Sequence, residues 1–94
     1  MARISRVAVV GAGTMGRRIA FQCARTGMPS AIHDPDPRAL ESARVQVQHW
    51  LAEKLAPEAQ QPALSSLLFC ADLRQCLEGA DLVIENVPEN LELK

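Results

Sequence analysis

The stretch from Arg6 to Gly16, RVAVVGAGTMG in one-letter code, constrains this chain more than any other. Arg6 to Val10 is a short run of mainly β-branched residues that a glycine stops, which predicts a strand buried on both faces, as in a parallel sheet. A helix is expected straight after it, from Thr14 to about Thr26, with Met15, Ile19 and Cys23 as an apolar stripe and Gly27 as the C-terminal cap. Between strand and helix the turn fits G-x-G-x-x-G. Gly11 permits the tight turn, Gly13 lets backbone approach a pyrophosphate, and Gly16 lets the helix lie close to the strand. Ala12, Thr14 and Met15 complete a loop whose unpaired N–H groups face an anion at the helix N-terminus. The helix dipole contributes about 0.3–1 kcal/mol to such binding and each hydrogen bond to a charged group about 1.5–3 kcal/mol, so the donors dominate.

A glycine turn alone is a weak indicator, and its surroundings decide the matter. The next strand, Ser30 to His33, ends at Asp34, about twenty residues beyond the turn, where the dinucleotide fingerprint places an acid. Asp34 is positioned to accept hydrogen bonds from both adenosine ribose hydroxyls and to repel a 2′-phosphate, which favours NAD over NADP. The alternative is a turn or capping aspartate before Pro35. Arg38 either softens that preference or faces water. Arg17 either approaches a phosphate or, like Arg18, is solvated.

Further along, Asp36 is a good N-cap with Pro37 at the first helical position. The helix that follows carries Leu40, Ala43, Val47, Leu51 and Leu55 on one face and Arg38, Glu41, Gln48 and Glu53 on the other. Pro57 ends it. Residues 58–66 are polar, with a weak helical pattern that Pro62 interrupts. Strands are expected at Leu67 to Cys70 and Asp81 to Val87, separated by a short helix that Asp72 caps and Gly79 closes. Alternating strands and helices imply an α/β fold, a Rossmann-type parallel sheet with flanking helices, truncated after the fourth strand. The crossover between Asp34 and Leu67 has room for two helices, a helical arm over about 37–66.

With 94 residues there is room for one domain, and 48% hydrophobic with 22% charged residues is an ordinary globular composition. A net charge of −1 gives no reason to expect nucleic acid or an anionic membrane as partner. No apolar run is long enough to span a membrane, and Met1 to Val10 lacks a proper signal-peptide core, so a cytoplasmic protein is expected. Cys23, Cys70 and Cys76 form no C-x-x-C pair and are read as reduced apolar side chains, with no metal site. His33 and His49 have no partner at catalytic spacing. Trp50, at the edge of the apolar stripe, is read as core or rim.

The glycine turn, His33-Asp34, and Ala80 to Lys94 (ADLVIENVPENLELK) together resemble the NAD-binding domain of the 3-hydroxyacyl-CoA dehydrogenases, over about Arg6 to Lys94. The last of these motifs is the specific one. The resemblance implies NAD as cofactor, its pyrophosphate on residues 11–16 and its adenosine ribose on Asp34. It also implies Glu89 and Lys94 near the nicotinamide, a place the strand's carboxyl end suits. Without the resemblance, Glu89 and Lys94 read as charges beginning a surface helix. In the family the long crossover contacts coenzyme A through serine and lysine. Lys54 is the match for the lysine, and the serine has none.

The family's reaction is NAD-dependent oxidation of L-3-hydroxyacyl-CoA to 3-oxoacyl-CoA, in fatty acid metabolism. Its catalytic histidine, the partner glutamate and a C-terminal helical domain that makes a homodimer all lie beyond the equivalent of Lys94. Residues 1–94 are therefore expected to be the N-terminal part of a dinucleotide-binding domain, a fragment holding the cofactor of a 3-hydroxyacyl-CoA dehydrogenase and inactive alone. Two alternatives stay open: the same domain of another 3-hydroxyacid dehydrogenase, such as the 3-hydroxyisobutyrate type, or a non-catalytic crystallin-like relative.

Overall fold

The computed structural model describes residues 4–86, and Glu89 and Lys94 lie outside the described residues. Among the described residues four strands are joined by four helices, two of them in the crossover from β2 to β3: β1 (Val7–Val10), α1 (Thr14–Arg25), β2 (Ser30–His33), α2 (Pro37–Lys54), α3 (Pro57–Ser65), β3 (Leu67–Cys70), α4 (Leu73–Leu77) and β4 (Leu82–Glu85). The strands form one parallel sheet in the order β3-β2-β1-β4. This is the Rossmann-type arrangement that the alternating pattern predicts. No helix among the described residues is long and apolar enough to cross a membrane.

Successive side chains of a strand point to opposite faces, and β1 and β2 are covered on both, whereas Leu82 and Val83 of β4 are exposed. On one face Val7, Val9, Ile32 and Leu67 pack with Ala20, Phe21, Leu40, Val47 and Leu51. On the other, Ala8, Ala31 and Cys70 pack with Cys76 of α4. The α2 stripe is as expected, with Leu40, Ala43, Val47 and Leu51 buried and Leu55 half-buried. Truncating a fully buried leucine such as Leu51 costs about 2–5 kcal/mol.

The expected stripe of α1 is wrong by part of a turn. Its buried residues are Gly16, Ala20, Phe21 and Ala24, whereas Met15 is 61% exposed and Ile19 and Cys23 are only half-buried. The cause is steric. Glycine and alanine at four-residue spacing let the helix approach the sheet closely, which turns Met15 out to solvent and leaves Ile19 and Cys23 at the flank.

Helix ends follow local chemistry. Asp36 accepts a hydrogen bond from the Arg38 N–H at 3.0 Å, and Asp72 does the same for Arg74. Beyond α1, Gly27 takes φ +81°, with Met28 N–H donating to the Cys23 carbonyl and Gly27 N–H to Ala24, which is a Schellman closure. α2 ends at Lys54, and Pro57 begins α3 at a position where its missing N–H costs nothing. α3 runs through Pro62 rather than breaking there. Only the bond to the Glu58 carbonyl is forfeited, so a short helix survives.

β4 is shorter than expected, because Asp81 leaves the strand to form a clasp. Its Oδ2 accepts from Ser5 N–H at 2.8 Å, Ser5 Oγ at 2.7 Å and Arg6 N–H at 3.1 Å. Val87 lies outside the described residues.

Candidate functional site

The registers place the carboxyl ends of three strands side by side, with Val10 opposite both His33 and Glu85. Order reverses here, since β1 leads to β2 on one side and lies beside β4 on the other. Ligands of open α/β sheets bind at such a point. The turn leaving β1 is tied to both neighbours: Gly11 N–H donates to the His33 carbonyl at 2.7 Å, and Asn86 N–H donates to Val10 at 2.8 Å.

The three glycines have different physical reasons. Gly11 has φ +107°, and a Cβ there would run into the Asn86 carbonyl. A Cβ on Gly16 would run into the Gly11 carbonyl, so Gly16 is what lets α1 start against the turn. A Cβ on Gly13 would meet nothing within 4 Å. Gly13 borders open space, as a backbone approached by a ligand must.

That space is a cleft of about 490 Å³ lined by the turn, Arg17, Asp34, Ala39 and Asn86. Its volume lies within the usual range for small-molecule sites. The N-terminus of α1 has no side-chain cap and no acid in its first turn, whereas α2 and α4 carry their own aspartate caps. Its first N–H groups are left for a ligand, and an anion suits them. A pyrophosphate therefore fits this end of the cleft.

Asp34 stands at the rim with both carboxylate oxygens engaged. Oδ2 accepts from Ala12 N–H and Oδ1 from Asp36 N–H, each at 3.0 Å. The Asp36 contact is the turn role that Pro35 suggested, and the Ala12 contact reaches across to the neighbouring strand's loop. Each oxygen retains acceptor capacity for a hydroxyl.

Arg17 is half-buried, and its side chain is bonded to protein. Its Nε donates to the Ala12 carbonyl at 3.2 Å, and its Nη1 donates to Ser42 Oγ at 3.3 Å and Gln46 Oε1 at 3.1 Å. Arg18 also has a neighbour, its guanidinium carbon lying 5.2 Å from the Trp50 ring centroid. Trp50 meets Phe21 edge-on at 5.5 Å and packs α1 against α2, away from the cleft. Arg38 is exposed.

Lys54 is exposed at the far end of α2, roughly 22 Å along the helix from Ala39. The cleft does not include it. Neither histidine reaches the cleft among the described residues. His33 is buried in β2, and His49 is exposed with its Nε2 3.3 Å from Glu53. No group of residues there could hold a metal ion.

Two cleft residues, Asn86 and Ala39, were not singled out from the sequence. The rule that ligands bind beyond strand carboxyl ends would have found Asn86, since it follows β4 directly. Its Nδ2 is buried without a partner among the described residues. Ala39 carries no chemistry to recognise.

Comparison with known proteins agrees with this geometry. A family model described as "3-hydroxyacyl-CoA dehydrogenase, NAD binding domain" matches residues 6–94. A 5-formyl-3-hydroxy-2-methylpyridine 4-carboxylate 5-dehydrogenase of Mesorhizobium japonicum is 37% identical over 93 residues, covering 97% of this chain and 30% of that protein. A lambda-crystallin homolog of Bos taurus is 40% identical over 97 residues, covering 94% and 29%. The crystal structure of 3-hydroxybutyryl-CoA dehydrogenase from Escherichia coli superposes with a TM-score of 0.85 at 34% identity, covering 98% of this chain and 20% of that one. The chain thus spans less than a third of the length of these relatives. Over the part it does span, sequence and backbone fold agree, and the chain belongs to the 3-hydroxyacyl-CoA dehydrogenase family as its N-terminal NAD-binding domain.

Proposed function

We propose that the protein carrying this chain oxidises the 3-hydroxyl of an L-3-hydroxyacyl-CoA to the 3-oxo thioester, and that residues 1–94 hold its NAD. The observation that carries the reading is the family match over residues 6–94, together with a cleft whose helix N-terminus is left uncapped. NAD, when bound, supplies the acceptor for the hydride. The N–H groups at the start of α1 hold the pyrophosphate, and Asp34 takes the adenosine ribose. Glu89 and Lys94 are proposed beside the nicotinamide, and Lys54 toward the acyl-CoA. The group that removes the hydroxyl proton is assigned outside this chain, as is the surface of a homodimer. A cytoplasmic location belongs to the same proposal.

A second reading has its own support. The similar Mesorhizobium japonicum protein is named for a substrate that carries a carboxylate and no thioester. An unesterified hydroxyacid is the corresponding alternative here.

The test has two parts. Calorimetric titration of this chain with NAD and NADP should show binding with NAD preferred, and no turnover of an L-3-hydroxyacyl-CoA. The full-length protein should reduce NAD with L-3-hydroxybutyryl-CoA at a far higher kcat/KM than with free 3-hydroxybutyrate. The reverse order would replace the first reading by the second.

A further inference from the structure

Arg17 follows the last glycine of the turn, and its three hydrogen bonds join elements distant in sequence. One goes to the Ala12 carbonyl, inside the turn. Two go to Ser42 and Gln46, which are four residues apart on one face of α2. On its other side, the N–H of Ala12 is held by Asp34. Two consecutive peptide units of the turn are thus fixed by side chains. The Gly11–Ala12 unit is held through its N–H and the Ala12–Gly13 unit through its C=O.

The second of these matters for binding. In a trans peptide the C=O and N–H point in opposite directions, so holding the Ala12 carbonyl toward Arg17 aims the Gly13 N–H away from it. Gly13 is the N-cap of α1, where no side chain caps the helix, and it borders open space.

We propose that Arg17 is a positioning residue for the cofactor's pyrophosphate. It presets the Ala12–Gly13 peptide so that the Gly13 N–H faces the phosphate oxygens before the cofactor arrives. Through Ser42 and Gln46 it makes that setting depend on where α2 sits. Three of the guanidinium's five N–H donors go to protein acceptors, and the role assigned to it is to hold the turn rather than to contact the phosphate. This rests on the reading of the cleft as an NAD site. Preorganised donors bind more tightly because the ordering cost is met in the free protein.

The experiment measures two ligands on four proteins: wild type, Arg17→Ala, Arg17→Lys and the double variant Ser42→Ala with Gln46→Ala. NAD is titrated calorimetrically, and adenosine, which lacks phosphate, by NMR shift. Arg17→Ala should weaken NAD about tenfold, the scale of one charge-assisted bond, and leave adenosine within about twofold. The double variant keeps the arginine but frees it, and should weaken NAD about threefold, the loss of two neutral partners being smaller. Lysine cannot span the three acceptors with a planar fork, so Arg17→Lys should behave like the alanine variant.

Unchanged NAD affinity in Arg17→Ala or in the double variant overturns the proposal. So does full rescue by lysine, which would mean a direct charge on the phosphate. A parallel loss of adenosine binding overturns it as well, because the effect would then be general damage. A wild-type chain that binds adenosine but not NAD removes the reading of the cleft, and this proposal with it.

Discussion

The Asp34 carboxylate and the Ala12 N–H lie 3.0 Å apart, joining the end of β2 to the loop that leaves β1. The acid proposed to face the cofactor's ribose is therefore also part of what shapes the loop proposed to face its phosphates. A substitution at Asp34 acts on both, and its effect separates according to what the new side chain still accepts.

Asp34→Asn retains an oxygen for the Ala12 N–H but loses the negative charge. Its melting temperature should stay close to wild type, while the preference for NAD over NADP disappears. Asp34→Ala removes both contacts, and NAD binding should weaken by at least about 1.5 kcal/mol, the lower end for a bond to a charged group. Titration with both cofactors checks this. A wild-type chain that prefers NADP would contradict the ribose assignment.

Gly13 and Gly16 should respond differently to alanine. Gly13 has φ −77° and free space at its Cβ position, so Gly13→Ala should leave apo stability within about 0.5 kcal/mol and still impair NAD binding. At Gly16 the methyl meets the Gly11 carbonyl, and overpacking of that kind costs about 1–3 kcal/mol. Urea denaturation of the two apo variants, beside NAD titrations, separates shape from binding.

The Asp81 clasp makes stability depend on acid. Hydrogen bonds from the Ser5 hydroxyl and N–H, then from the Arg6 N–H, outweigh desolvation and hold this carboxyl below its ordinary value of 3.8. A lowered folded-state pKa contributes stability that is present above the unfolded value and lost as pH falls through the folded one. Asp81→Asn should therefore lower the urea midpoint at neutral pH. The wild-type and variant curves should converge as the pH drops below 3.8. Parallel curves would mean the clasp carries no such linkage.

Burial pushes the Cys76 thiol up to about 11, with neighbouring Cys70 adding to the shift. The sign is opposite to that of Asp81: a raised folded-state pKa contributes stability below the unfolded value of 9.0, and this is lost as pH rises toward 11. At neutral pH a thiol reagent should modify half-buried Cys23 first and reach Cys70 and Cys76 only on unfolding. Mass spectrometry of partly alkylated native protein gives the order. Early modification of Cys76 would show that α4 opens readily.

Features written in a few adjacent residues were legible from the sequence. Asp36 and Asp72 cap the helices that follow them, and β2 and β3 have the expected ends, because capping and strand propensity act locally. The face of α1 was not legible, since four-residue spacing marks Met15 and Ile19 as readily as Gly16 and Ala20. Contact between Gly16 and Gly11 decides between them, and it exists only in three dimensions. Arg17 with Gln46, and Gly11 with Asn86, escaped for the same reason. Each pair is brought together by the order of strands rather than by spacing along the chain.

That strand order also sets a sequence of events during synthesis. β1 is made first, yet until residues 82–85 emerge it has β2 alone beside it and stands as a sheet edge. Asn86, which closes the cleft against Gly11, comes later still. Long-range parallel pairing of this kind is slow, because the intervening loop must be closed before the contact is gained. A nascent chain is thus obliged to carry Val7–Val10 with one side unpaired until residues 82–85 have been made, and over that interval this segment is open to pairing with a wrong strand.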